Sequence, residues 1–168
     1  GGSGFFGFEL VKELSKKNKV IVIDNNLRGN FDKFKGLKNI KTVECDITNQ
    51  RLVKKLSKVD EVYHLAFING TENFYKYPEK VLDVGVKGII NIIEFVKSKK
   101  IKNFIMFSSS EVYGTPSRVP TNEKEIIKIE DIFNPRFSYS AGKIISESIT
   151  INFLRNIDIK YKIIRPHN

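Results

Sequence analysis

Apolar side chains along this chain switch repeatedly between a helical and a strand-like period. Residues 5–17 carry Phe8, Leu10, Val11 and Leu14 on one stripe with lysines at its end, which predicts an amphipathic helix. Residues 19–23 are almost wholly apolar and end at Asp24, as in a strand buried on both faces. Residues 25–39 are polar and glycine-bearing, with at most a short helix over 31–34. A second strand follows at 40–45, a short helix at 49–56 and a third strand at 60–65. Tyr77 and Pro78 open a long helical stretch in which Val81, Val84, Ile89, Ile92, Ile93 and Val96 recur at helical spacings. A fourth strand over 101–107 runs directly into Ser108, Ser109 and Ser110. A proline-bearing loop reaches residue 137, a long helix covers 138–155 and a last strand covers 159–164.

Strands alternating with helices predict an α/β fold, a doubly wound, Rossmann-like parallel sheet with helices on both faces. The 168 residues suit one domain at roughly 100–200 residues per domain. No apolar run approaches the roughly 18 residues of a membrane span, so no membrane partner is expected. The lone cysteine, Cys45, excludes an internal disulfide framework and fits a reducing, cytoplasmic setting. His64 and His167 fall on different strands and no cluster has ligand spacing, so no metal site is expected.

Charge alters this picture little. The chain holds 29 basic and 19 acidic residues, net +10, but only six of the basic ones are arginine. The 23 lysines are spread along the whole length, whereas a phosphate-tracking surface gathers arginine among exposed aromatics. Solvated lysine faces account for the charge, and no nucleic-acid partner is expected.

Two constellations carry chemistry. Gly1, Gly4 and Gly7 lie three apart at the mouth of the first helix, where backbone must turn sharply and free N–H groups can face a pyrophosphate. Asp24 ends the next strand 20 residues after Gly4, about the separation at which an acidic residue meets an adenosine ribose. Together they predict dinucleotide binding, and the aspartate favours NAD over NADP, with Arg28 nearby as the complication. A turn-rich terminus or linker would show the same glycines without that function. Further on, Tyr139 and Lys143 are four apart on one helical face, and Ser109 follows a strand thirty residues before Tyr139. A tyrosine of pKa about 10 needs a neighbouring ammonium to act as a base at neutral pH, and a serine hydroxyl can orient the oxygen that loses its proton. The plainer reading is a packed tyrosine with a solvated lysine one turn on.

The motifs then resemble a family. Gly1-Gly2-Ser3-Gly4-Phe5-Phe6-Gly7, Asp24-Asn25-Asn26, Cys45-Asp46-Ile47, His64-Leu65-Ala66, Ser108 to Gly114, Tyr139-Ser140-Ala141-Gly142-Lys143 and Arg165-Pro166-His167-Asn168 are similar to the extended short-chain dehydrogenase/reductases. More narrowly they resemble the NAD-dependent epimerase/dehydratase group acting on nucleotide sugars, over essentially the whole chain. The resemblance implies that Gly1, Gly4, Phe5 and Phe6 lie along the pyrophosphate, Asp24 and Asn25 at the ribose, and Asp46 and Ile47 at the adenine. Leu65, Ala66 and Phe67 would line the cofactor channel, with Tyr139 and Lys143 as base and helper, also at the cofactor. Ser109 takes the catalytic serine position and Glu111 that of an acid-base carboxylate, while Ser109, Ser110 and Asn168 would meet substrate.

The implied activity is oxidation of a nucleotide sugar at C4, with hydride passing to NAD, followed by epimerisation or dehydration. A decarboxylase on the same scaffold and a non-catalytic NAD-binding module are the alternatives, and a homodimer is implied for the full-length protein. The family pattern also continues beyond both ends, so residues 1–168 are expected to be a fragment lacking its first strand and its C-terminal substrate-binding region. Two positions depart from the pattern. Gly85 stands where an asparagine linked to the active site is usual, and Phe67 replaces a small residue. Asn69 or Asn73 is expected to supply the missing amide.

Overall fold

The computed structural model describes residues 1–167; Asn168, expected at the substrate, lies outside the described residues. The elements run α1 (Phe5–Leu14), β1 (Val20–Asp24), a 3-10 turn (Phe31–Phe34), β2 (Ile40–Glu44), α2 (Gln50–Lys54), β3 (Glu61–His64) and α3 (Thr71–Lys76). They continue with α4 (Pro78–Asp83), a π-helical turn (Val84–Gly88), α5 (Ile89–Ser98), β4 (Asn103–Phe107), 3-10 turns at Ser110–Tyr113 and Pro135–Phe137, α6 (Ser138–Leu154) and β5 (Lys160–Ile164).

All strand pairs are parallel: β1 with β2, and β3 with β4 and then β5. Asp24 at the end of β1, Leu65 just after β3 and Phe107 at the end of β4 border one cleft, at the carboxyl edge where ligands of open α/β sheets bind. Hydrogen bonding leaves two sheets rather than one. The free edges of β1 and β3 border a cleft of about 850 Å3, walled by Val11 and Leu14 of α1 on one side and Ile92 and Phe95 of α5 on another.

Strand alternation distributes the core over both faces. Val22 packs with Val11 of α1 and with Phe34 of the first 3-10 turn, while Ile23 and Val43 join the larger cluster of α2, α5 and β4. In that cluster Ile89, Ile93, Val96, Ile101 and Phe104 are essentially inaccessible. Each such side chain contributes about 1.5–3 kcal/mol of burial free energy. The helical face of α6 is unlike these. Its buried positions include Ser140, Gly142, Lys143, Ser146, Glu147 and Thr150, small or polar groups that let the helix approach β4 and the π turn.

The sequence pattern anticipates the strands to within a few residues. It reads residues 69–73 as loop, yet Thr71–Lys76 is helical and buries Phe74. It also predicts one regular helix from Pro78, and the run instead widens into a π turn at Val84–Gly88, where Ser146 Oγ lies 2.7 Å from the Gly85 carbonyl oxygen. A side chain reaching into the hydrogen-bond ladder is a recognised cause of such a distortion, and π turns often lie at functional sites.

Candidate functional site

At the carboxyl edge of the strands lies a cleft of about 660 Å3. Its floor is the turn from Gly1 into α1. A Cβ on Gly1 would fall 2.4 Å from the Ala66 nitrogen, and one on Gly7 would fall 2.4 Å from the Gly1 oxygen, so both positions require glycine for close backbone packing. Gly4 caps α1 with no side-chain hydrogen bond, which leaves the first N–H groups of this ten-residue helix available to an anion. Phe5 and Phe6 border the opening and are exposed.

Asp24 is set at the next position along the cleft. Its carboxylate accepts from the Ser3 N–H at 3.1 Å and from the Asn26 N–H at 2.9 Å. Burial raises its pKa, and the hydrogen bonds from Ser3 and Asn26 lower it. Asp46 accepts from the Thr48 N–H and hydroxyl, at 2.8 and 2.7 Å, and Asn25 reaches across to it at 3.5 Å. Asn91 of α5, whose role no spacing signalled, donates to the Ile47 carbonyl at 2.8 Å and fixes the loop after β2. Arg28 donates to the Asn69 carbonyl and lines the same cleft as Asp24, where its charge remains.

The other end of the cleft holds Ser109, Glu111, Tyr139 and Lys143. Tyr139 is gripped by two rings: Phe74 stacks on it at 5.0 Å, and Phe67 meets it edge-on at 5.1 Å. Burial raises the Tyr139 phenol, hydrogen bonding to Ser109 lowers it, and Glu111 adds to the rise, leaving it above the usual tyrosine value. Lys143 donates to the Phe107 carbonyl at 2.7 Å. Its burial pulls the ammonium down to about 7, against a smaller opposing effect of Glu147. Beside it His64 stacks with Phe104, and burial, then Lys143, hold it neutral with a pKa of about 3.

Leu65, Ala66 and Phe67 line the channel between the two ends, with Ile47 opposite. Thus the residues expected at the cofactor and at the chemistry share one cleft. Ser110 does not line it; that residue starts the 3-10 turn, and its N–H donates to the Pro166 carbonyl at 3.0 Å.

Two ion pairs escaped sequence reasoning because their members are far apart along the chain. Arg136 donates to Glu111 Oε2 at 2.9 Å and stands 5.2 Å over the Phe74 ring. Arg165 grips both oxygens of the buried Glu147, at 2.9 and 2.6 Å, and donates to the Tyr113 hydroxyl at 2.9 Å. The second pair ties β5, α6 and the turn behind Glu111 together.

Of the two asparagines expected to supply the missing amide, Asn69 lines the cleft, and its side-chain oxygen accepts from the Gly70 N–H at 2.7 Å. The Asn73 amide nitrogen donates to the Asn69 carbonyl at 2.9 Å. The space over Gly85 is filled by the Phe67 ring, whose tip would lie 2.8 Å from a Cβ there. Gly85→Asn is accordingly expected to cost about 1–3 kcal/mol of stability by overpacking. A urea-denaturation midpoint in the full-length protein unchanged by the substitution would contradict that packing.

Among the described residues, no group of three His, Cys, Asp or Glu is placed to hold a metal, and no helix is long and apolar enough to cross a membrane.

Residues 1–168 match the sequence model described as the NAD dependent epimerase/dehydratase family. The chain is 33% identical to UDP-glucuronic acid decarboxylase 5 of Arabidopsis thaliana, covering 100% of this chain and 49% of that one. Its fold superposes on the UDP-Glc/GlcNAc 4-epimerase from Campylobacter jejuni with a TM-score of 0.89 at 24% identity, over 98% of this chain and 51% of the other. A UDP-glucose 4-epimerase from Brucella ovis, solved in complex with NAD, gives a TM-score of 0.86 at 28% identity, over 100% and 50%. The chain spans about half the length of the curated relatives it matches.

Proposed function

The chain belongs to the NAD dependent epimerase/dehydratase family, and on that premise we propose that residues 1–168 form the NAD-binding domain of an enzyme that oxidises the sugar of a nucleotide sugar. The observation that carries this reading is the joining, in one cleft, of an anion-ready helix terminus and Asp24 with Ser109, Tyr139 and Lys143. A binding module has use for the first pair only.

The cleft fits NAD. The uncapped α1 terminus suits a pyrophosphate, the preset Asp24 carboxylate suits a ribose diol, and the Asp46 and Ile47 rim suits an adenine. When bound, NAD supplies the hydride acceptor and a positively charged ring. The chain's own groups do the rest. Ser109 orients the sugar hydroxyl, at C4 in this reading, and Tyr139 as phenolate takes its proton. Lys143 as ammonium favours that phenolate. The ketone so formed acidifies the neighbouring C–H or is reduced again on its other face.

The decarboxylase reading is favoured by one specific observation: Glu111 enters the cleft as a carboxylate held by Arg136, beside an identity of 33% to a UDP-glucuronic acid decarboxylase. A homodimer and a cytoplasmic setting belong to the same reading. The exposed Ile145 and Phe153 on α6 and the free, buried Cys45 support them.

Incubating the full-length enzyme with NAD and, separately, UDP-glucose, UDP-N-acetylglucosamine and UDP-glucuronic acid separates the outcomes by NMR. A C4 epimer, a 4-keto-6-deoxy sugar or a pentose with released carbon dioxide identifies the reaction. No change in any of the three, with NAD shown to be bound, overturns the assignment to these substrates.

A further inference from the structure

A buried ammonium is stable only where something answers its charge. Lys143 has one hydrogen-bonded carbonyl, that of Phe107, and its Nζ stands 4.2 Å from the centroid of the Phe67 ring. The Tyr139 ring is farther, at 5.7 Å. The other charges around it are engaged elsewhere. Glu147 on α6 is gripped by Arg165, Glu111 by Arg136, and Asp83 beside the π turn by Lys87 at the surface. His64 at the end of β3 is neutral at physiological pH. The face of Phe67 is therefore the closest uncommitted partner of the ammonium.

That ring can be there only because two neighbours are glycines. A Cβ on Gly85 would lie 2.8 Å from Phe67 Cζ, and a Cβ on Gly142 would lie 2.9 Å from it. The ring then turns its edge to Tyr139, with 81° between the planes. The two departures from the family pattern, at 67 and 85, are thus one packing unit.

We propose that Phe67 is a positioning residue for the Tyr139–Lys143 pair: its face holds the Lys143 ammonium beside the phenol and takes the place of an amide at position 85. This rests on the reading of Tyr139 as base. A cation over a desolvated aromatic face is an electrostatic contact with the ring quadrupole, so it weakens when that quadrupole is drained even if ring shape is kept.

The test uses the full-length, NAD-bound enzyme with isotopically labelled lysine, the Lys143 signal being identified by its loss in Lys143→Met. Phe67→Leu is expected to lower the Lys143 pKa by about half to one unit, because the charged form loses the ring face. Stepwise fluorination of the Phe67 ring should lower it in graded fashion with an unchanged melting temperature, which a packing role alone would not do. Phe67→Ala combined with Gly85→Asn should bring the titration back toward that of the parent. A Lys143 titration that is the same in the parent, leucine and fluorinated forms overturns the proposal. If Tyr139→Phe retains turnover, the base assignment has failed instead, so the two failures are distinct.

Discussion

Tyr139→Phe in the full-length enzyme is expected to lower kcat by about 10²- to 10⁴-fold, the usual worth of a positioned general base. NAD binding should be nearly unaffected. The substitution keeps the ring, and the ring makes the packing contacts: the stack on Phe74 and the edge of Phe67 both survive. What is lost is one hydroxyl bonded to Ser109, a change worth about 1 kcal/mol of stability. The groups set for the cofactor's pyrophosphate and ribose, at the α1 terminus and Asp24, lie at the other end of the cleft. Single-turnover absorbance measurements and NAD titration separate the two effects. Turnover within tenfold of the parent would remove Tyr139 from the role of base.

How legible such a site is from sequence depends on how local its physics is. The glycine turn, Asp24 and the Tyr139–Lys143 pair could be read because helix period and strand ends place them: four residues on a helix is one face, and a strand's last residue is at the sheet edge. The grip on Tyr139 could not. Phe74 sits on a six-residue helix introduced by Asn69 and Gly70, residues with the composition of a turn, and tertiary burial decides its conformation. The Glu111–Arg136 and Glu147–Arg165 pairs connect elements whose spacing in the sequence carries no period. Position 67 was visible as an oddity and position 85 as another, but their relation is steric, and only the 2.8 Å approach of ring and glycine joins them. The buried face of α6 was obscured for a related reason. Serine, glycine, threonine and lysine line it, so an apolar stripe, the usual mark of a buried helix face, is missing where the helix does its chemical work.

Lys143→Met brings the electrostatic cost of that face into view. In the folded chain burial holds the Lys143 pKa at about 7, whereas in an unfolded chain it returns to about 10.4. Between those values the unfolded state binds more protons, so this residue makes stability rise as pH increases from about 7 to about 10 and takes it away as pH falls again. At neutral pH it therefore costs the fold on the order of a few kcal/mol. Methionine removes that cost and leaves the Phe107 carbonyl without its donor, a loss of about 1–3 kcal/mol. Because these two effects oppose each other near neutrality, the slope of stability with pH is the sharper readout. It should flatten between pH 7 and 10 in Lys143→Met relative to the parent, while kcat falls by about 10² or more as the phenolate loses its ammonium. Urea midpoints measured across that range, with kcat measured beside them, check both halves. Parallel slopes would mean that Lys143 is solvated in the folded protein. A flattened slope with full activity would mean that its burial serves something other than Tyr139. The expected pair of results makes the lysine a group kept at the expense of stability because the neighbouring phenol needs its charge.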